Sequence, residues 1–505
     1  MEEKRINKNM YKPVIGLEIH AELNTKNKMF CSCLNDPDEK RPNANICPVC
    51  TAQPGTLPVI NREAVAKVIK TGLALNCRIP ECSKFDRKNY FYPDLPKGYQ
   101  ISQYDEPLCL GGSLKIDGRE ISITRIHLEE DTGRLIHPQA ADYSLVDFNR
   151  AGIPLMELVT EPDITSGKEA RKFGEELQLI LRYLGVSDAD MEKGQMRVEV
   201  NISLSRAAAK MEDENLSSSP SQGGKLGTKV EIKNLNSFRS VEKAVEYEII
   251  RQKKILEKGG KIVQETRGWL DDEEMTVGQR EKEEAHDYRY FPEPDLPPLY
   301  FSKDFIKGIE NEIPELPQSR RERFEKEYGL SSREIKILVL NKPLGEYFER
   351  VILGLKPDSS LKERSIKLAA NYLITDLQGL LKESASTVAG FSITPENFAE
   401  FINLICQGKI SSKIAKMLLL KMHKSGGHPS EIIKRDNLIQ ITDAAEIEKI
   451  IDKVIKDNAK AMEDYKKGKE TAFQYLIGKI MAESKGKADP QEINKLLKEI
   501  LTKLK

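Results

Sequence analysis

The sequence predicts an α+β protein: an N-terminal domain built mainly of antiparallel sheet, then an all-α C-terminal region that ends in a helical tail domain. Three observations carry this expectation. Polar and apolar residues alternate along the strands at 14–23 (from Leu17 onward), 196–204 and 228–234, the period of a strand with one buried face. The prolines at 292, 294, 297 and 298 cannot continue a helix or a central strand and mark a boundary. Beyond them, segments such as 331–340, 362–373, 395–404, 411–422 and 444–456 carry apolar residues at three and four spacing, the stripe of an amphipathic helix.

Length sets the scale of this division. A chain of 505 residues is too long for one core, and about three domains are expected; the pattern places them at 1–295, 296–405 and 406–505. Hydrophobic residues are 39% and charged residues 31%, with mean hydropathy −0.49, values of a water-soluble protein. No run approaches the roughly 18 apolar residues of a membrane helix. No apolar stretch of secretory type precedes the first strand, so a cytoplasmic location is expected. The formal net charge is zero, yet residues 406–505 hold 21 Lys+Arg against 14 Asp+Glu, leaving 58 against 65 for residues 1–405. Such a basic tail suits a polyanionic partner; a lysine-rich helical surface kept for solubility has the same composition.

The first strand sets Ile15, Leu17, Ile19, Ala21 and Leu23 on one face and Glu18, His20 and Glu22 on the other, about 7 Å apart along the row. Two carboxylates flanking an imidazole make an edge for a divalent ion, or a solvated polar face. Cys31-Ser-Cys33 and Cys47-Pro-Val-Cys50 then follow with thirteen residues between the pairs. Paired thiolates at this spacing, on a loop rich in Asn, Asp and Pro, suit a closed tetrahedral zinc site of structural type; four free thiols are the other reading. Asn61 caps a helix running to Leu75. Residues 83–103 mix Lys84, Arg87, Lys88 and Lys97 with Tyr90, Phe91, Tyr92 and Tyr99, a combination that holds phosphates and stacks on rings or serves as packed surface.

Residues 125–161 carry Glu129, Glu130, Asp131, Asp147 and Glu157 beside short apolar runs of strand type. Carboxylates on a stiff sheet can share an ion; a polar face ending in an Asp-Thr-Gly turn is the alternative. Thr165 or Ser166 starts a helix that stops at Gly185, and a further helix runs from Ser237 to Lys258. Between the later strands, residues 207–224 are rich in Ser, Gly and charge and read as a flexible insertion. Near the end, Asp489 caps the last helix and Pro490 starts it.

No P-loop, Gly-x-Gly-x-x-Gly, His-Glu-x-x-His or Gly-x-Ser-x-Gly run occurs in the sequence, which removes the corresponding nucleotide, zinc-protease and serine-hydrolase chemistries. Carboxylates and a histidine with lysines and arginines nearby remain. Hard oxygens that hold Mg²⁺ and cations that neutralise a transferring phosphoryl point to metal-dependent phosphoryl transfer.

Several long runs carry a resemblance that goes further. Val14-Ile-Gly-Leu-Glu-Ile-His-Ala-Glu-Leu, Lys84-Phe-Asp-Arg-Lys-Asn-Tyr-Phe-Tyr-Pro-Asp, Ser144-Leu-Val-Asp-Phe-Asn-Arg, Glu231-Ile-Lys-Asn-Leu-Asn-Ser-Phe-Arg and Asp287-Tyr-Arg-Tyr-Phe-Pro-Glu-Pro-Asp-Leu resemble the B subunit of the aspartyl/glutamyl-tRNA(Asn/Gln) amidotransferases. The likeness extends to Ser411-Ser-Lys-Ile-Ala-Lys and Gly486-Lys-Ala-Asp-Pro in the tail. It implies a cradle-shaped α+β domain, a helical region and a tail that contacts tRNA. The implied reaction is phosphorylation by ATP of the side-chain carboxylate of Glu or Asp misacylated on tRNA(Gln) or tRNA(Asn), followed by amidation with ammonia. The ammonia would reach it through a channel from a glutamine-hydrolysing amidase (the A subunit), in a heterotrimer completed by a small C subunit. This chain has only Gly111-Gly112-Ser113 where an amidase carries a serine-rich Gly-Gly-Ser-Ser-Gly run, so ammonia release is not expected of it.

Carried over residue by residue, the resemblance implies that Glu18, His20, Glu130 and Glu157 hold Mg²⁺ with Glu129 adjacent, and that Lys88, beside Arg87, contacts ATP phosphates. Departures exist. A strand usually written Arg-Cys-Asp-Ala-Asn reads Arg197-Val-Glu-Val-Asn201 here, which puts the role of Glu199 in doubt; the 207–224 insertion is long; Gln279-Arg-Glu-Lys-Glu replaces Met-Arg-x-Lys-Glu. Not all members carry the four-cysteine loop, so zinc there is expected to be structural. A zinc-bearing, tRNA-binding scaffold without chemistry is the alternative function, and tRNA-stimulated phosphate release separates the two.

Overall fold

Alternation in the first strand is what the fold is built on. The computed structural model describes residues 11–36, 38–139, 141–206, 226–281, 288–356, 362–383, 391–438, 443–466, 469–484, 487–488 and 490–503, in two compact units, residues 1–316 and 317–505. Strand β1 (Tyr11–Glu22) buries Ile15, Leu17, Ile19 and Ala21 at no more than 1% exposure. Their Cβ atoms all point to one side of the pleat, so the even-numbered Glu18 and His20 are left on the other.

The chain continues through α1 (Arg62–Ala74), β2 (Cys82–Ser83), β3 (Asp86–Asn89), β4 (Tyr99–Ser102), β5 (Cys109–Leu110), β6 (Ser113–Ile116), β7 (Arg119–Glu130), β8 (Arg134–Ile136), β9 (Leu145–Asp147) and β10 (Pro154–Thr160). Then come α2 (Gly167–Leu184), β11 (Met196–Arg206), β12 (Val230–Leu235), α3 (Phe238–Glu257), β13 (Glu265–Leu270), β14 (Met275–Glu281), β15 (Phe291–Pro292), β16 (Leu299–Tyr300) and α4 (Lys303–Asn311). A nine-stranded sheet has the order β14-β13-β12-β11-β1-β10-β7-β5, with β6 also paired to β7. Its pairs are antiparallel except β12 with β13. β1 therefore sits in the middle, with Glu18 opposite Val159 on one side and Glu199 on the other.

The apolar face packs on Val65, Val68 and Ile69 of α1, Phe173, Leu177 and Ile180 of α2, and Val241, Ala244 and Val245 of α3. The helix ends lie where the capping residues predict. The Asn61 side chain accepts from the amides of Glu63 and Ala64; Ser166 and Ser237 each accept from the third residue on; Gly185 ends α2 in the left-handed conformation. Beyond Ile126 the outer edge of β7 has no β5 beside it. Gln103 Oε1 there accepts from the Leu128 amide, and Gln100 Nε2 donates to the Glu130 carbonyl. The small sheet β15-β3-β4 thus closes over that end of the polar face.

One boundary falls later than residue 295. Phe305, Ile306 and Ile309 of α4 pack against the first unit's core, so the unit runs to Leu316; the prolines shape the β15 crossing rather than a domain end.

The second unit is helical: α5 (Pro317–Tyr328), α6 (Ser332–Leu340), α7 (Lys342–Gly354), α8 (Lys362–Tyr372) with a π-helical turn at Leu373–Leu377, α9 (Gln378–Glu383), α10 (Pro395–Cys406), α11 (Ser412–Ser425) and α12 (Pro429–Arg435). α13 (Ala444–Asp457), α14 (Ala459–Lys466), α15 (Glu470–Glu483) and α16 (Pro490–Lys503) complete it. The expected division at residue 405 cuts through packed helices: Phe391 stacks on His423 at 5.6 Å, Ser392 Oγ donates to the His423 carbonyl, and His428 of the α12 cap lies 2.9 Å from Glu400 of α10. A separate core of Ile447, Ile451, Leu476, Ile480, Ile493 and Leu497 belongs to α13–α16. Among the described residues no helix is long and apolar enough to cross a membrane. The 207–224 insertion, Asp287, Gly486 and the Asp489 cap lie outside the described residues.

Candidate active site and tetracysteine centre

Register across three strands assembles the polar cluster. His20 of β1 is paired with Glu157 of β10, and Glu157 in turn with His127 of β7, so all three side chains leave the same face. Glu18 and Glu129 join them one pleat away on their own strands. His20 Nε2 lies 3.3 Å from Glu157, 3.8 Å from Glu129 and 4.0 Å from Glu18, while His127 Nε2 lies 3.3 Å from Glu157 and 3.6 Å from Glu129. Two donor triplets, Glu18–His20–Glu157 and His127–Glu129–Glu157, each converge within 4.8 Å.

Cations ring this cluster. Lys88 Nζ is 3.9 Å from Glu129 and Arg125 is 3.8 Å from Glu157. Lys233 holds Glu199, the neighbour of Glu18 across β11, at 2.9 Å. Lys88 also sits 5.5 Å over the Tyr288 ring, within a wall that includes Tyr90, Tyr290 and Tyr104, the last two stacked at 4.3 Å.

Electrostatics follow from burial and crowding. Burial, reinforced by the charges of Glu157 and Glu199, pushes Glu18 up to about 7. Burial works against protonated His20, but its bond to Glu157 and the charges of Glu157, Glu129 and Glu18 prevail and raise it to about 9. Burial likewise opposes ionised Glu157, yet His127 and His20 hold it well below the usual carboxylate range. Several anions are therefore crowded into a low-dielectric site and compete for positive charge. Three carboxylates and two imidazoles form a donor set that a hard divalent cation fits.

Alternation decides which expected residues reach the cluster. Glu18, His20, Glu129, Glu157 and Lys88 do. Glu130 does not: it leaves β7 on the opposite face, where its carboxylate accepts from Lys97 Nζ at 2.8 Å and from the Ile101 amide at 3.0 Å. Arg87 points away from Lys88 on β3, forming a two-bond clamp of 2.7 Å each with buried Glu293 and stacking on Tyr99 at 4.3 Å. Glu22 turns from the ion row to Arg197, 3.6 Å away, and Asp131 pairs with Arg197 and, at 3.5 Å, Arg150. Asp147 accepts from the amides of Asn43 and Asn149 as a turn former. His127 is the residue that sequence reasoning missed. The two-residue step from His127 to Glu129 was the available signal, hidden because residues 126–130 are buried on both faces.

The four cysteines meet as their spacing predicts. The sulfurs of Cys31, Cys33, Cys47 and Cys50 converge within 4.8 Å, and the Cys47 amide donates to Cys50 Sγ at 3.2 Å. A hydrogen bond from Cys31 and the nearby Lys28 draw the Cys50 thiol down to about 5 against the effect of burial. Four sulfurs at this separation could hold a soft or borderline metal ion.

Comparison with known proteins shows the family of the chain. Residues 13–307 match the model of the GatB/GatE catalytic domain, and residues 358–501 match that of the GatB domain. Proteins named as the B subunit of aspartyl/glutamyl-tRNA(Asn/Gln) amidotransferase are 46% identical to this chain in Carboxydothermus hydrogenoformans (501 residues, 98% of this chain and 99% of the relative) and Thermotoga maritima (499 residues, 97% and 99%). The one in Caldicellulosiruptor saccharolyticus is likewise 46% identical over 501 residues, 98% of this chain and 100% of the relative. With its sheet, its helical region and nearly its full length accounted for in this way, the chain belongs to the GatB/GatE catalytic-domain family.

Proposed function

We propose that this chain works as the B subunit of an aspartyl/glutamyl-tRNA(Asn/Gln) amidotransferase, and that the cluster on β1, β7 and β10 is where ATP meets the side-chain carboxylate of Glu on tRNA(Gln) or Asp on tRNA(Asn). The carboxylate oxygen attacks the γ-phosphorus, ADP leaves, and ammonia then displaces phosphate from the acyl phosphate to give the amide. Glu18, His20, Glu129 and Glu157 would hold Mg²⁺, which when bound supplies the positive charge that lets two anions approach. His127 donates toward Glu157 and Glu129 and fixes their orientation. Lys88 neutralises charge on the transferring phosphoryl, and the tyrosines beside it exclude water.

Ammonia comes from the partner amidase, the A subunit, and the small C subunit is the brace of the pair in the cytoplasm; the naming of the relatives as B subunits supports a multi-subunit assembly. The four cysteines hold a structural Zn²⁺, and residues 406–505 bind the tRNA body through excess positive charge. The observation that carries the reading is His20 lying within 4.0 Å of carboxylates from three strands of one sheet. In the assembled complex, Glu18→Ala and His20→Ala are expected to lose ATP-dependent phosphate release stimulated by misacylated tRNA while glutamine is still hydrolysed. Unchanged transamidation in either variant refutes the assignment.

A further inference from the structure

Lys28 is one of the largest fully buried side chains of the protein, at 1% exposure. Its ammonium has three protons to place and finds the Phe148 carbonyl at 3.2 Å and Cys50 Sγ at 3.8 Å. Burying a cation is costly unless negative charge meets it, and a carbonyl supplies none. A metal–tetrathiolate supplies it, because Zn²⁺ with four thiolates carries two net negative charges.

The same lysine stands where the cysteine loop meets the sheet. The Met29 amide donates to the Gly152 carbonyl at 2.7 Å, and the Asn43 amide and side chain bond to Asp147 and Val146. A Cβ on Gly152 would stand 3.5 Å from Cys50 Cβ and 3.7 Å from Lys28 Cδ. Gly152 itself has φ +84° and is followed two residues later by β10, the strand of Glu157. The loop and the 146–152 turn are thus zipped together around one buried charge.

We propose that Lys28 is a positioning residue of the tetracysteine centre: its buried ammonium compensates the charge of a metal–tetrathiolate and ties it, through the Phe148 carbonyl, to the turn that leads into β10. This rests on the reading of the four cysteines as a zinc site, and the test keeps the two apart. Zinc content and the rate of zinc transfer to a chromophoric chelator are measured on the full-length wild type, Lys28→Met and Lys28→Arg. Methionine keeps the volume and loses the charge; arginine keeps the charge. Stoichiometric zinc in the wild type, transfer about 10–100-fold faster in Lys28→Met, and near wild-type transfer in Lys28→Arg are expected, the range typical of lost partners of metal ligands.

No zinc in the wild type overturns the zinc reading and the proposal with it. Zinc present but held equally by Lys28→Met overturns the role of Lys28 alone. Should Lys28→Met not fold, Lys28→Gln takes its place, and equal rates for Gln and Arg overturn the proposal.

Discussion

The two donor clusters of the first unit are built in opposite ways. In the cysteine loop, sulfurs meet because their neighbours in sequence bring them together; each pair is local, and one irregular loop closes the set. On the sheet, the oxygens and nitrogens come from three separate strands, with the donors of β1 more than a hundred residues before those of β7 and β10, and register alone aligns Glu18, His20, His127, Glu129 and Glu157. The loop has little regular structure of its own, and under the proposed reading a bound zinc would hold its shape. The sheet is rigid without one and can present charge at fixed distances, the condition for electrostatic catalysis.

This contrast can be broken most decisively at Glu157, which both triplets share. Glu157→Ala is expected to reduce ATP-dependent phosphate release by about 10²–10³-fold, the scale for removing one preorganised group; removing zinc with a chelator should instead lower the unfolding temperature and leave that rate within about tenfold. A rate equally sensitive to both treatments would dissolve the distinction. Almost as large an effect is expected on stability at Arg87. Arg87→Ala leaves Glu293 buried and unpaired, at a cost of about 3 kcal/mol; denaturant titration should show this with the KM for ATP unchanged, whereas Lys88→Ala should raise that KM.

Glu129 and Glu130 sharpen the comparison next. Glu129→Gln is expected to raise the Mg²⁺ requirement, while Glu130→Gln weakens only the anchoring of the 90–98 loop by Lys97, about 1–2 kcal/mol of charge-assisted bonding. A raised Mg²⁺ requirement in Glu130→Gln would mean that β7 presents the other face. Smallest is Ser166→Ala, which removes the α2 cap and should cost about 1 kcal/mol of global stability with no change in either site.

How much of this was legible in the sequence depends on the same distinction. The cysteine cluster was legible because tetrahedral ligation constrains local spacing. The three capped helices were legible because Asn61, Ser166 and Ser237 carry their own hydrogen bonds. Membership of Glu18 and His20 in one row was legible from period two. The pairing of that row with Glu157 was not, since nothing in residues 18–20 names their partner strand. Glu130 and Arg87, which the resemblance placed at the ion and the nucleotide, lie apart from the cluster for a single reason: neighbours in a strand face opposite ways, and a likeness of motifs does not state the face. Coverage of the end of β7 by β4 buries the polar His127 and Glu129 as well as the apolar Ile126 and Leu128, and that is a tertiary fact.

The central position of β1 has a consequence for how the protein is made. It leaves the ribosome well before the strands it pairs with, and its hydrogen-bonding edges wait for residues 155–159 and 196–206. At ~5–20 residues per second, that is a delay on the order of ten seconds with an apolar strand and two open edges. The donors gather only once β10 has been synthesised, so a nascent chain stalled before residue 154 would carry every donor but Glu157, without the strand that joins β1 to β7, and would be a natural client for chaperones.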